Sequence, residues 1–239
     1  RPPSRLEGWY GPPRTFGFTA EVQPVFDKDC VSCHDYGEEA GLKLNLAPDR
    51  LIAFNTAYNE LWRKGYVRCA GGGPAEILQA YSWGSHASPL AREIRQPTIP
   101  EHRDLRLSQE EYDRVMTWLD LNGVYYPTYA CAYPDSLTGR CPLDSRQLGR
   151  LAQLTGLDLG RTRNHQGNLG PQVNFERPQL SPCLAKFTDD QDPGRQEALA
   201  IIQAGKAMLA QRPRADMPGF HPGDVDNRRE EKYSARQAA

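Results

Sequence analysis

The sequence predicts a mainly α-helical chain with long irregular connections. Apolar residues recur at helical spacing in several segments, and no segment sustains the period-two alternation of a strand. In addition, 21 Gly and 20 Pro among 239 residues cut the helices into short pieces. Apolar content is 38% and mean hydropathy −0.69, which describes a soluble, loop-rich protein with a limited core for its length.

Residues 1–18 are punctuated by Pro and Gly-Pro turn signals and read as an extended lead-in. Thr19 is placed to cap a helix whose apolar positions Val22, Val25 and Phe26 run into Cys30, with Pro24 tolerable in its first turn. Phe54, Ala57, Tyr58, Leu61 and Trp62 follow helical spacing, and Gly65 stops the run. Ser88-Pro89 reads as an N-cap with Pro at the first helical position, opening a short helix through Leu90 and Ile94. The clearest helix starts at Ser108, where Glu111 completes a capping box; Tyr112, Val115, Met116 and Leu119 form its apolar stripe and Gly123 ends it. Trp62, Trp83 and Trp118 are assigned to the core.

Beyond Tyr125-Tyr126-Pro127 the character changes. The turn-rich segment 129–142 holds Cys131 and Cys141, and Asp144 caps a short helix with Leu148, Leu151 and Leu154. Residues 156–182 have no clear period. Asp192-Pro193 opens a further helix (Ala198, Ile201, Ile202, Met208, Leu209) that Pro213 ends, and Asp224–Arg236 reads as a solvated terminal helix or tail. The chain thus divides into 1–125 and a Gly- and Pro-rich extension, 126–239. The extension has few apolar residues and is expected to wrap the first part.

Cys30-Val31-Ser32-Cys33-His34 carries the chemistry. It is a C-x-x-C-H pentapeptide, the attachment sequence of c-type haem. Two thiols three positions apart on one helical turn can each add to a vinyl group of one porphyrin, and the adjacent His then reaches the iron. A zinc site would need a second ligand pair at similar spacing, and no other C-x-x-C or H-x-x-x-H exists among six Cys and five His. The fold class is therefore a cytochrome c-like haem core with a long, loop-rich C-terminal extension. One haem c is expected, on Cys30 and Cys33, with His34 as proximal ligand and no catalytic residue assigned. Attachment of this kind belongs to an exported, oxidising setting, periplasmic or extracellular, and the start at Arg1 reads as a mature or excised terminus. Four cysteines remain, an even number suited to two disulfides. Nine residues including Pro134 and Gly139 separate Cys131 from Cys141, a turn that a bridge could close at roughly 3 kcal/mol. Cys69 with Cys183 follows only by elimination, against free buried thiols as the alternative.

With 29 basic against 30 acidic residues, nothing suggests a nucleic-acid or anionic-membrane surface. Apolar runs such as Ala198–Ile202 are far short of the ~20 residues that span a bilayer.

Phe18–Phe26 running into Cys30–His34, followed by Gly41-Leu42-Lys43-Leu44, resembles the cytochrome c modules of large planctomycete-type exported proteins. Gly8–Pro12, Trp62–Tyr66, Tyr81–Ser88, Gly170–Phe175 and Arg214–Phe220 resemble, more specifically, the C-terminal haem domain of the hydrazine synthase alpha subunit family. In that family the catalytic haem lies in a preceding module and a β-propeller lies upstream. Neither is in these 239 residues, so the resemblance implies an electron-transfer module and hydrazine chemistry is not carried over. It also implies His/His ligation. The distal ligand is expected at His102, because small c-type cytochromes often carry it on a loop just before their closing helix. Here that loop is Pro97–Asp104, set between prolines and the Ser108 cap. His86 and Met217, the latter in a Met-Pro step, are the alternatives.

The expected function is a monohaem electron carrier with a redox partner protein or a neighbouring haem domain. A homo-oligomer or larger assembly is compatible with it. Competing readings are a haem enzyme or gas sensor with an open sixth position, and a haem-stapled structural domain.

Overall fold

The computed structural model describes residues 9–71, 78–160 and 170–237. The beginning of the lead-in and part of the 156–182 stretch lie outside the described residues. The chain is mainly helical, and the only β feature among the described residues is an isolated bridge between Arg50 and Asn55. No helix among them is long and apolar enough to cross a membrane.

The first helical run breaks in two: α1 (Phe18–Glu21) and α2 (Gln23–Asp29), divided at Val22. Pro24 lies in the first turn of α2, where its missing N–H costs nothing. Thr19 does not cap. The chain enters from Gly17, and the Thr19 hydroxyl donates to the Asp216 carbonyl (3.1 Å). After α3 (Glu39–Lys43) comes α4 (Thr56–Arg63), whose N-cap Asn55 accepts from the Tyr58 N–H (2.9 Å) and donates to buried Gln23 (2.6 Å). Gly65 follows at φ +74°, the left-handed stop expected there.

Two short helices, α5 (Gly84–Ala87) and α6 (Pro89–Arg95), precede the closing helix α7 (Gln109–Asp120). Ser88 sits at the N-cap of α6, yet its hydroxyl donates to the Gly84 carbonyl (2.7 Å) and accepts from the Arg68 N–H (3.0 Å). The Ser108–Glu111 capping box is complete in both directions. Helix α7 packs on α1 and α5. Phe18, Val22, Phe26, Leu61, Val115, Trp118 and Leu119 form the centre of the first cluster. Trp118 is fully buried and donates to the Val124 carbonyl (2.9 Å), and Trp62 packs against the same cluster. Trp83 departs from the expectation and is 38% exposed. The chain turns at Gly84, and Ser85 is the residue drawn inward, its N–H donating to Asp120 (2.7 Å).

The described residues of 126–239 form more than a wrap. Helices α8 (Ser145–Thr155) and α9 (Pro193–Gln211) pack together over a second cluster that includes Leu143, Leu151, Phe175, Ile202 and Leu209. Asp144 caps α8 through a box with Gln147, and Asp192 caps α9. The terminal helix α10 (Asp224–Gln237) is largely exposed. The two clusters are joined by residues 49–54. Ile52 is buried in the second cluster, the Phe175 N–H donates to the Arg50 carbonyl (2.9 Å), and fully buried Arg214 donates to the Leu51 carbonyl (2.8 Å) while forking onto Asp216 (2.8 Å).

Candidate functional site

The pentapeptide lies on a turn that continues α2. The Cys30 N–H donates to Phe26 (2.8 Å), and the N–H groups of Cys33 and His34 both donate to the Cys30 carbonyl (3.2 and 2.9 Å). Both thiols and the imidazole therefore issue from one helical turn, as the attachment chemistry requires. Cys30 is partly buried against the first cluster while Cys33 is exposed. Burial, with Asp29 and Asp27 nearby, pushes the Cys30 thiol up to about 12.

His34 is held from two sides by the strand of chain after α3. Its Nδ1 lies 2.7 Å from the Leu44 carbonyl, and its own carbonyl accepts from the Leu46 N–H (2.8 Å). Gly41 allows this, since a Cβ there would run into the Asp35 carbonyl, immediately after His34. Asp35 is gripped in turn by Arg177 of the second half, which bonds both its oxygens (2.6 and 2.8 Å) and both oxygens of Asp49. These bonds hold the Asp35 carboxyl below its ordinary range.

His102 closes a 3-10 turn, Pro100–His102, and its ring lies 5.9 Å from the His34 ring, centre to centre. Its Nδ1 is 3.0 Å from Glu93 Oε1. A carbonyl and a carboxylate can only accept, so Nδ1 is the donor on each ring, and in the neutral form of each imidazole Nε2 is the nitrogen that carries the lone pair. A metal binds imidazole nitrogen at ~2 Å and that nitrogen lies ~1 Å from the ring centre, so two rings facing each other across one metal would stand about 6 Å apart. The observed spacing is of that size, with the two ring planes tilted by 42°. Cys30, Cys33, His34 and His102 are therefore the residues that could hold a c-type haem, the first two by thioether bonds and the histidines as ligands. Among the described residues no group of three or more His, Cys, Asp or Glu is placed to hold a metal ion by itself.

Glu93, like Asp35 and Arg177, is a residue that sequence reading did not single out. Burial alone would raise its carboxyl, but donors from Thr98, His102 and Ile99 hold it below its ordinary range. Its spacing from His102 follows no helical or strand period, so only its position in α6, before the loop, hints at it.

The other expected ligands lie apart from this pair. His86 is exposed on α5 with its ring against Tyr81 (4.6 Å between centres). Met217 packs on the second cluster, its sulfur accepting from the Arg214 N–H (3.4 Å).

All six cysteines are free thiols in the structure. Neither expected pair is bonded. Cys69 packs on the first cluster whereas Cys183 is buried in the second, and Cys141 is buried in the second while Cys131 sits in the turn beside Gly139. Burial pushes Cys69 and Cys141 to about 11 and Cys183 to about 12. Comparisons with protein-family models, with curated proteins and with solved structures give no match to this chain.

Proposed function

We propose that the chain is a monohaem electron-transfer cytochrome, with haem c attached through Cys30 and Cys33 and ligated axially by His34 and His102. The observation that carries this reading is the pair of Nδ1-anchored imidazoles 5.9 Å apart beside two thiols on one helical turn. Bound there, the iron would take up and return single electrons. The protein's own part is to hold the ligands. Leu44 and Leu46 fix the His34 ring and backbone, Glu93 fixes the His102 ring, and the cluster beneath Cys30 supplies an apolar bed. If His34 and His102 both held the iron, the chain itself would supply the ligands on both sides of the haem, which favours electron carriage over gas binding or turnover. Imidazole in place of thioether makes it a low-potential carrier. On this reading the first half is a cytochrome c-like core related to the haem domain of the hydrazine synthase alpha subunit family. It would work in an oxidising, exported compartment beside a redox partner protein or a neighbouring haem domain.

The test is the full chain, produced with a cytochrome c maturation system, and its His102→Ala variant, read by visible absorption and low-temperature EPR. Wild type should be low-spin with His/His signals, and His102→Ala should lose them. An unchanged signature in the variant would contradict the ligand assignment.

A further inference from the structure

Glu93 stands on α6 with one carboxylate oxygen serving three donors. Oε1 accepts from the N–H of Thr98 (3.0 Å), the N–H of Ile99 (3.2 Å) and Nδ1 of His102 (3.0 Å). Oε2 accepts from the Thr98 hydroxyl (2.7 Å). A single side chain therefore folds residues 98–102 around itself and orients the ring at their end.

The helix that carries it is firmly mounted. Leu90 and Ala91 are buried in the first cluster. Arg95 reaches the Tyr112 hydroxyl (2.8 Å), the Ser85 carbonyl (3.0 Å) and the Met116 sulfur (3.6 Å), tying α6 to α5 and α7. The loop itself has no comparable anchor in the core, since Pro100–His102 contains no buried residue. Position passes from the core through α6 and Glu93 to the ring.

The two histidines are also treated unequally. His34 donates to a neutral carbonyl, His102 to a carboxylate. A charge-assisted bond is the stronger of the two and pushes electron density into the ring, raising the basicity of Nε2. A more basic ligand favours the more highly charged iron.

We infer that Glu93 is a positioning residue that builds the His102 loop and strengthens its imidazole as a ligand, so that it helps set the site's potential. This rests on the haem reading above. Glu93→Gln tests the electronic part, because the amide oxygen can keep the place of Oε1 while the charge is lost. The haem-loaded full-length variant should stay low-spin and favour the oxidised state about tenfold less, an upward shift of about 59 mV for one electron. Glu93→Ala tests the loop. Its reduced form should bind carbon monoxide at least tenfold faster than wild type, as His102 lets go. Wild-type potential in Glu93→Gln, or wild-type inertness to carbon monoxide in Glu93→Ala, would overturn the corresponding part while the haem reading stood. A wild-type chain without haem would remove that reading and this role with it.

Discussion

Cys30 and Cys33 share a turn but not an environment, one lying against the core and the other in solvent. Either thioether alone can keep a porphyrin on the chain. Cys30→Ala and Cys33→Ala should each still give a haem-stained band on a denaturing gel, whereas the double variant should give none; a stained band from the double variant would contradict attachment here. Gly41 offers a second test at this scale. Gly41→Ala places a methyl group against the Asp35 carbonyl and should cost about 1–3 kcal/mol, with a matching fall in thermal midpoint. The pentapeptide and the setting of His102 before a capped helix were legible in the sequence because both are local patterns. Leu44 and Glu93 were not, because one acts through a backbone carbonyl and the other across a loop with no period. Trp83 was misplaced for a related reason: size and aromaticity suggest burial, but the turn at Gly84 decides which side chain goes inward.

Helix α7 joins the site to the core through its cap. Glu111 serves the Ser108 N–H (2.7 Å) and also pairs with Lys28 of α2 (2.7 Å), the helix that leads into the pentapeptide. The Lys28 bond first, then the bonds to Ser108, pull the Glu111 carboxyl down to about 2. A depressed carboxylate adds stability that is present above its unfolded value, ~4.3, and is lost as pH falls toward 2. Lys28→Met removes the largest cause, so its acid unfolding, followed by circular dichroism, should begin at higher pH than in wild type. Coincident acid curves would count against the link. On the inner face, Trp118→Leu leaves a cavity and an unpaired Val124 carbonyl, for a loss of about 2–3 kcal/mol in denaturant unfolding. The haem spectrum should persist, since Trp118 acts as packing; loss of the spectrum at unchanged stability would contradict that role. The box at Ser108 and the cap at Asp144 were legible in the sequence, whereas the caps expected of Thr19 and Ser88 did not form, their hydroxyls being drawn to other carbonyls.

At the scale of the molecule, two apolar clusters meet over residues 49–54 and are pinned by buried charge. Arg214 and Asp216 are both buried, with the Tyr125 hydroxyl donating to Asp216 (2.7 Å). Removing Arg214 alone strands a carboxylate in the interior, so Arg214→Met should cost about 3–5 kcal/mol, while Arg214→Met with Asp216→Leu should cost less. A double variant no more stable than the single one in denaturant unfolding would contradict that account. The second cluster escaped the sequence because its members, from Ala132 to Leu209 with Ile52 from the first half, are sparse and far apart along the chain. Arg177 and Arg214 then bind that half to the turn after His34 and to residues 51–54. The central claim remains the haem on Cys30 and Cys33. Its most direct test is the intact mass, under denaturing conditions, of the full chain made with a cytochrome c maturation system. The account predicts the polypeptide mass plus one haem, and the mass of the bare polypeptide would contradict it.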